Sequence, residues 1–204
     1  MSQVTTGLRR VLSDSHFYEF IQWLMGSHKA RKKFVSDYIA PHKVNLILDI
    51  GCGPAGILAY LPNVEYYGFD ISGSYISKAR EVYGARGHFF EKYLTKDDVE
   101  ALPKFDVVLL SGVLHHVDDT TARYILDLAY QSLKPNGRLV TIDGCLVKGQ
   151  NPIARLLIKL DRGQNIKTEQ GYKILVQGIF TKIEVNIQHT RWIPYTRCFM
   201  VCTK

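Results

Sequence analysis

The chain has 204 residues, of which 46% are hydrophobic and 22% charged, and its formal net charge is +7. These values exclude an intrinsically disordered chain and suit one globular domain, residues 1–204, with a full core. No uninterrupted apolar run reaches the roughly 18 residues that span a bilayer, and the N-terminal stretch lacks the apolar centre of a secretory signal. The basic charge is compatible with binding to nucleic acid, an anionic membrane surface or an acidic small molecule. It is equally compatible with a protein that binds none of these partners.

Alternating strand and helix patterns run from residue 44 onward. The expected strands are 45–50, 64–69, 88–91, 105–110 and 138–143, and the expected helices are 55–61, 74–83, 97–102 and 118–133. The fourth strand, FDVVLL, has the continuous apolar character of the centre of a parallel sheet. This regularity predicts an α/β fold, a doubly wound parallel sheet with helices on both faces.

The two ends of the chain have a different pattern from this core. Helices are expected over residues 15–40 and, as one or two segments, over 151–176. Residues 181–188 and 197–202 are predicted to form a hairpin of two strands at the sheet edge. The chain therefore divides into an N-terminal helical cap at 1–43, a ligand-binding core at 44–145, a helical insertion on the substrate side at 146–178, and a strand pair at 179–204.

The four cysteines are informative about the cellular compartment and about metal binding. None of them forms a C-x-x-C pair. They are Cys52, Cys145, Cys198 and Cys202, and the last two fall on one face of a predicted strand. Burial in a core explains them better than a disulfide or a metal site does. We predict a reducing, cytoplasmic location and no bound metal.

The stretch LDIGCGPAG, residues 48–56, ends the first strand with a G-x-G-x-x-G pattern. Glycines there let a ligand approach the backbone closely, and the amides at the following helix start favour a negative group. Asp70 lies about 20 residues on, at the end of the second strand, where a carboxylate accepts hydrogen bonds from ribose hydroxyls. The pattern therefore predicts a nucleoside-containing cofactor.

Two cofactor classes fit a loop of this kind, nicotinamide dinucleotides and S-adenosylmethionine (SAM). Asp49, two positions before Gly51, would crowd a pyrophosphate, whereas it would receive the ammonium of a methionine tail. The chain also leaves little room for the substrate domain of a dehydrogenase. Tyr130 and Lys134 have the spacing of a reductase pair, but they precede the fifth strand instead of following it. These features favour SAM.

Four motifs together resemble the class I SAM-dependent methyltransferases. They are LDIGCGPAG, GFDIS at 68–72, FDVVLLSGVLHHVDD at 105–119 and LKPNGRLVTID at 133–143, within residues 44–145. The LHH variant is most similar to the bacterial enzymes that act on small molecules and lipids. The resemblance implies a seven-stranded sheet whose last strand is antiparallel, with SAM as cofactor and S-adenosylhomocysteine as product.

The resemblance also implies which residues contact the cofactor. Gly51, Gly53 and the neighbouring backbone of Cys52 and Pro54 would line the methionine end, Asp70 would hold the ribose, Ile71 would pack on adenine, and Ser111 and Gly112 would lie beneath the ligand. The family places an acid after the third strand for the adenine amine, but Tyr93 stands at that position here. The backbone at Tyr93 and Leu94, or a shifted Glu91, would then contact the adenine amine.

Candidate catalytic residues follow the fourth and fifth strands. A base is needed only if the acceptor must lose a proton, and imidazole suits that task near neutral pH. His115 and His116 are the candidates, with a slight preference for His116, and the alternative is that both only shape the cofactor loop. Asp143 is a second candidate on the acceptor side, with helix or loop capping as its alternative role.

The substrate side is expected to include the insertion and parts of the chain ends. In NPIARLLIKLDRG, residues 151–163, one side is apolar and the other basic. Such a helix lies on an anionic membrane, binds an acidic substrate, or packs its apolar side on the domain as a lid, which is the interpretation we favour. Tyr18, Arg155 and Tyr195 are the candidates for the pocket wall.

The sequence therefore predicts a SAM-dependent methyltransferase that acts on a small molecule or lipid intermediate by in-line displacement. An RNA or protein methyltransferase is the alternative raised by the basic charge, and a non-catalytic SAM-binding subunit is a third. Nucleic acid is not the expected partner, because SGVLHH replaces the D/N-P-P-Y/F signature and no Pro-Cys nucleophile is present. Peripheral membrane contact stays open.

Overall fold

The computed structural model describes residues 28–40, 44–160, 165–190 and 195–204. Within these ranges the helices are α1 (His28–Phe34), α2 (Gly73–Tyr83), α3 (Lys96–Ala101), α4 (Asp119–Ser132), α5 (Pro152–Leu160) and α6 (Glu169–Val176). The strands are β1 (Leu46–Ile50), β2 (Glu65–Asp70), β3 (Gly87–Glu91), β4 (Phe105–Ser111), β5 (Leu133–Leu146), β6 (Lys167–Thr168), β7 (Lys182–Thr190) and β8 (Tyr195–Thr203). A π-helical turn at Val35–Ile39 extends α1, and 3-10 turns occur at Gly56–Tyr60, Gly84–Arg86 and Leu114–His116.

Seven strands form the main sheet in the order β3-β2-β1-β4-β5-β8-β7. The pairs among β1 to β5 are parallel, whereas β8 is antiparallel to both β5 and β7. This confirms the predicted doubly wound sheet with an antiparallel last strand. The two-residue strand β6 pairs only with the end of β5, and no local pattern predicted it.

Two apolar clusters lie on opposite faces of the sheet, because successive strand residues point to opposite sides. Leu48 and Leu110 belong to one cluster, which α4 and α6 cover. Ile47 and Val107 belong to the other, which α2 and the π-helical turn cover. Burial on both faces explains why β1 and β4 are apolar almost throughout, as the sequence pattern indicated.

The fifth strand begins earlier than predicted, at Leu133. Its backbone pairs with Phe105, and the register then shifts before Val107 pairs with Arg138. The residues between the predicted helix at 118–133 and the predicted strand at 138–143 are therefore part of an irregular start to β5, with Asn136 at a φ of 61°. Lys134 contributes to this arrangement through an ion pair of 2.7 Å with Asp106.

The helix α5 packs on the domain through some of its apolar residues and leaves others exposed. Ala154 and Ile158 are buried where α5 packs against β5 and β8. Ile153 and Leu156 are 58% and 56% exposed. The expectation that the apolar side packs on the domain is therefore wrong for these two residues.

No helix in the described ranges is both long and apolar enough to cross a membrane.

Candidate functional site

The glycine loop after β1 bends sharply beneath the loop that follows β4. Gly51 and Gly53 have positive φ values of 75° and 53°. The amides of Gly51 and Cys52 both donate to the carbonyl of Phe69, at 2.7 and 3.0 Å. A Cβ atom on Gly51 would lie 2.6 Å from Cγ2 of Val113. Only glycine therefore fits here, because both its conformation and its contact exclude a side chain.

Asp70, at the end of β2, lies directly against this loop. Its Oδ2 atom accepts a hydrogen bond from the Gly53 amide at 2.9 Å, and Oδ1 accepts one from the Ser72 amide at 2.8 Å. The structure thus brings together the loop and the acid that sequence reasoning paired. The carboxylate is partly exposed at the carboxyl edge of the sheet, which is where ligands bind in open α/β folds.

Asp49 lies buried behind the loop. Its Oδ2 atom accepts a hydrogen bond of 2.6 Å from the Tyr66 hydroxyl, whereas Oδ1 has no hydrogen-bond partner among the described residues. Burial, opposed by the hydrogen bond from Tyr66 and helped by the nearby Asp70, raises the pKa of this carboxyl to about 7. A buried carboxylate oxygen without a donor fits a cationic ligand group, such as the ammonium of SAM.

We expect Asp49 to make the stability of the ligand-free protein depend on pH. Its folded pKa lies above its ordinary value of 3.8, so the folded protein holds this proton more tightly. The stabilisation is complete below pH 3.8 and is lost as the pH rises through 7. Thermal unfolding from about pH 5 to about pH 8 should show a smaller fall in Tm for Asp49→Asn than for the wild type. Equal falls would contradict the assignment.

The expected adenine end has an exposed apolar surface. Ile71, which directly follows Asp70, is 48% exposed, and Tyr93 is 59% exposed. Leu94 is buried in the core, so its side chain does not contribute to this exposed surface. Glu91 lies over the start of α2, because a Cβ on Gly73 would lie 2.6 Å from its carboxylate.

A buried histidine and aspartate meet beside the glycine loop. Nδ1 of His115 lies 2.8 Å from Oδ1 of Asp143, and the His115 amide donates to the same oxygen at 3.2 Å. Burial raises the pKa of Asp143, and the hydrogen bond from His115 opposes the rise. The ring of His116 lies 4.2 Å from that of His115. Oδ1 of Asp143 therefore faces His115, a contact that sequence reasoning did not predict.

The loop that carries these histidines also lies over the cofactor loop. Gly112 has a φ of 72°, and its amide donates to the carbonyl of Ile142 at 2.7 Å. Ser111 is exposed at the end of β4, and Val113 contacts Gly51 as described above. The predicted cofactor and catalytic residues thus share one edge of the sheet.

Residues of the insertion and of β8 lie against the backbone of His115 and Gly144. The Asn165 amide donates to the carbonyl of His115 at 3.0 Å, and the Tyr172 hydroxyl donates to the carbonyl of Gly144 at 2.8 Å. Tyr195 is buried, with its hydroxyl 2.7 Å from where a Cβ on Gly144 would lie. Sequence reasoning missed Asn165 and Tyr172, whose contacts depend on how the insertion folds back.

The other two pocket candidates are not brought to the histidines by any described contact. Arg155 is exposed on α5. Tyr18 lies outside the described residues. Pro54, predicted to line the methionine end, is exposed on the glycine loop.

Neither a metal cluster nor the groove described below coincides with the glycine loop in the described residues. The described ranges contain no group of three His, Cys, Asp or Glu side chains that could hold a metal ion, and all four cysteines are free thiols. A groove of about 540 Å³ lies elsewhere, lined by residues that include Tyr38, Arg138 and Phe199. None of the predicted site residues lines this groove, so we place the functional site at the glycine loop.

The sheet order matches the fold of solved methyltransferases. Residues 48–139 match a family described as a methyltransferase domain. Asp49 and Asp70 supply carboxylates that suit the ammonium and ribose hydroxyls of SAM, and SAM is the cofactor of methyltransferase domains of this fold.

Similar proteins agree with this class. The chain is 28% identical over 153 residues to desmethylxanthohumol 6'-O-methyltransferase of Humulus lupulus, and the match covers 68% of the chain and 42% of that protein. A SAM dependent methyltransferase from Archaeoglobus fulgidus superposes with a TM-score of 0.73 at 15% identity, covering 93% of this chain and all of that one. Human N-acetylserotonin methyltransferase, solved in complex with SAM, superposes with a TM-score of 0.66 at 20% identity, covering 98% of this chain and 59% of that one. The chain therefore spans less than half the length of the plant protein.

Proposed function

We propose that this chain transfers the methyl group of SAM to a hydroxyl oxygen of a small-molecule acceptor. The observation that carries the proposal is the shared edge at which the glycine loop, Asp70 and the His115–Asp143 pair lie together. The similarity to a plant O-methyltransferase supports oxygen as the acceptor atom. The exposed Ile153 and Leu156 on the insertion keep a lipid intermediate within the proposed acceptor class.

The chain's own residues hold the cofactor in defined roles. Asp49 accepts from the ammonium, and the bend at Gly51 and Gly53, where neither residue carries a side chain, lets the methionine end approach the backbone closely. When the ribose binds, Asp70 either loses its hydrogen bond with the Gly53 amide or accepts from the amide and the ribose hydroxyls together. Ile71 packs on the adenine. The bound cofactor supplies an activated methyl group, so positioning the acceptor in line contributes most of the acceleration.

The proposed base is His115, although the sequence slightly favoured His116. Asp143 holds Nδ1 of His115, so Nε2 is the nitrogen that takes the proton from the acceptor hydroxyl. The carboxylate fixes the ring and stabilises the imidazolium that forms. Because Asp143 orients His115, the geometry supports a base role for His115 better than for His116. The contact between Nδ1 of His115 and Asp143 is the reason for placing the proton of the neutral His115 ring on Nδ1.

Label transfer from SAM tests the proposal. The protein is incubated with methyl-labelled SAM and separate sets of phenols, hydroxylated lipids and bulk RNA, and products are followed by mass spectrometry. We expect label in a hydroxylated small molecule or lipid. Tight S-adenosylhomocysteine binding without label in any product would favour a non-catalytic subunit, and label in RNA would overturn the acceptor class.

Asp70→Ala is expected to weaken S-adenosylhomocysteine binding about 10- to 100-fold, because hydrogen bonds to a charged group are each worth roughly 1.5–3 kcal/mol. Isothermal titration calorimetry measures the change. Asp106→Ala is the matched control, since Asp106 accepts from the amides of Asn45 and Leu46 at the opposite end of the sheet. Equal losses in both variants would contradict a ribose contact.

A further inference from the structure

A buried tyrosine holds one oxygen of Asp49. Tyr66 is fully buried and lies opposite Ile47 in the β1–β2 register, so Asp49 is its diagonal neighbour on the same face of the sheet. Its hydroxyl donates to Oδ2 of Asp49 at 2.6 Å. A phenol in an apolar core needs a hydrogen-bond partner, and this carboxylate supplies it.

The contact determines which carboxylate oxygen stays available. Oδ2 is taken by Tyr66, and Oδ1 is the buried atom without a partner among the described residues. The other titratable groups that act on Asp49 are Asp70 and Cys52. Neither supplies a donor to it, because Asp70 accepts from the Gly53 and Ser72 amides and the Cys52 thiol donates to the Gly53 carbonyl at 3.4 Å.

We propose that Tyr66 is a positioning residue for the amino-acid end of SAM, and that it acts by holding Oδ2 of Asp49 so that Oδ1 faces the cofactor's ammonium. The proposal rests on the proposed function and adds a specificity role. The Tyr66–Asp49 pair makes the site select nucleosides that carry an amino-acid tail. Asp49 without this hydroxyl would rotate, and its remaining oxygen would lose alignment with the ammonium.

Calorimetry with two ligands tests this role. S-adenosylhomocysteine carries the amino-acid tail, whereas 5'-methylthioadenosine has the same nucleoside and thioether without it. We expect Tyr66→Phe to weaken binding of the first about tenfold, since a hydrogen bond to a charged group is lost, and to change binding of the second less than about twofold. Tyr67→Phe is the matched control, because the Tyr67 hydroxyl donates to the exposed Glu65 on the other face of β2.

The pH profile separates positioning from a structural role. Loss of the hydroxyl removes a hydrogen bond that lowers the pKa of Asp49, so that pKa rises further. Affinity for S-adenosylhomocysteine should therefore begin to fall at a higher pH in Tyr66→Phe than in the wild type when the pH is lowered. In an Asp49→Asn background, Tyr66→Phe should have no further effect on the ratio of the two affinities.

The outcomes are distinct. Equal weakening of both ligands, or an unchanged pH profile with an unchanged affinity ratio, would overturn the positioning role while leaving the cofactor assignment intact. A wild-type protein that is folded and binds neither ligand would overturn the proposed function, and the role of Tyr66 with it. Selective loss of S-adenosylhomocysteine binding in Tyr66→Phe alone supports the proposal.

Discussion

The His115→Asn variant is expected to turn over about 100- to 10,000-fold more slowly than the wild type, which is the usual contribution of a positioned general base. Asparagine keeps a donor near the position of Nδ1, so the buried Asp143 retains a partner, while Nε2 is removed. Alanine would leave that carboxylate buried and unpaired, which commonly costs about 3–5 kcal/mol of stability. The kcat values of His115→Asn and the wild type are compared by label transfer from SAM, and the affinity of both proteins for S-adenosylhomocysteine is measured in parallel.

The matched variant for this experiment is His116→Asn. It alters the neighbouring ring, 4.2 Å away, without touching the contact with Asp143. We expect a much smaller loss of kcat in this variant. If His116→Asn gave the larger loss while His115→Asn kept its turnover, His116 would be the base and His115 would only hold the loop.

Gly51→Ala is expected to weaken S-adenosylhomocysteine binding and to lower kcat about 100-fold, since displacing positioned groups by about 1 Å has effects of this size on the rate. The new Cβ would lie 2.6 Å from Cγ2 of Val113, so the glycine loop and the loop with the histidines must separate. A positive φ of 75° adds backbone strain. Calorimetry of the folded variant measures the loss, and kcat should fall with it.

Gly178→Ala controls for backbone strain. Gly178 has a φ of 83°, and a Cβ there would meet nothing within 4 Å. Both variants should therefore lose stability of roughly 1–2 kcal/mol from the left-handed conformation, whereas only Gly51→Ala should lose the ligand. Ligand binding that survives in Gly51→Ala would show that the bend does not form the cofactor site.

Local patterns predicted most of the fold, because they report burial directly. The apolar segments of β1 and β4 indicated strands buried on both faces. The acid at Asp118 marked the start of α4, and its side chain accepts from the Thr121 amide at 2.8 Å. The patterns failed where tertiary packing decided the outcome. The face of α5 depends on the space beside β5 and β8, and β6 exists only because the insertion returns to the end of β5.

The candidate site was predicted where the ends of neighbouring strands bring its residues together. Gly51, Gly53 and Asp70 lie at the ends of adjacent parallel strands, so the topology places them side by side. The partners of the two buried carboxylates could not be predicted in this way. Tyr66 donates to Asp49 across the β1–β2 pair, and His115 meets Asp143 from the loop after β4. These contacts depend on strand register and loop path, which no local pattern encodes.

The hydrogen bonds from the insertion have a consequence for protein engineering. The Asn165 amide holds the backbone of His115, and the Tyr172 hydroxyl holds the residue after Asp143. Under the proposed function, selectivity and reactivity are therefore not modular in this chain. A chimera that imports residues 146–178 from another enzyme would shift the imidazole as well as the acceptor, so directed evolution toward new acceptors should vary both regions together.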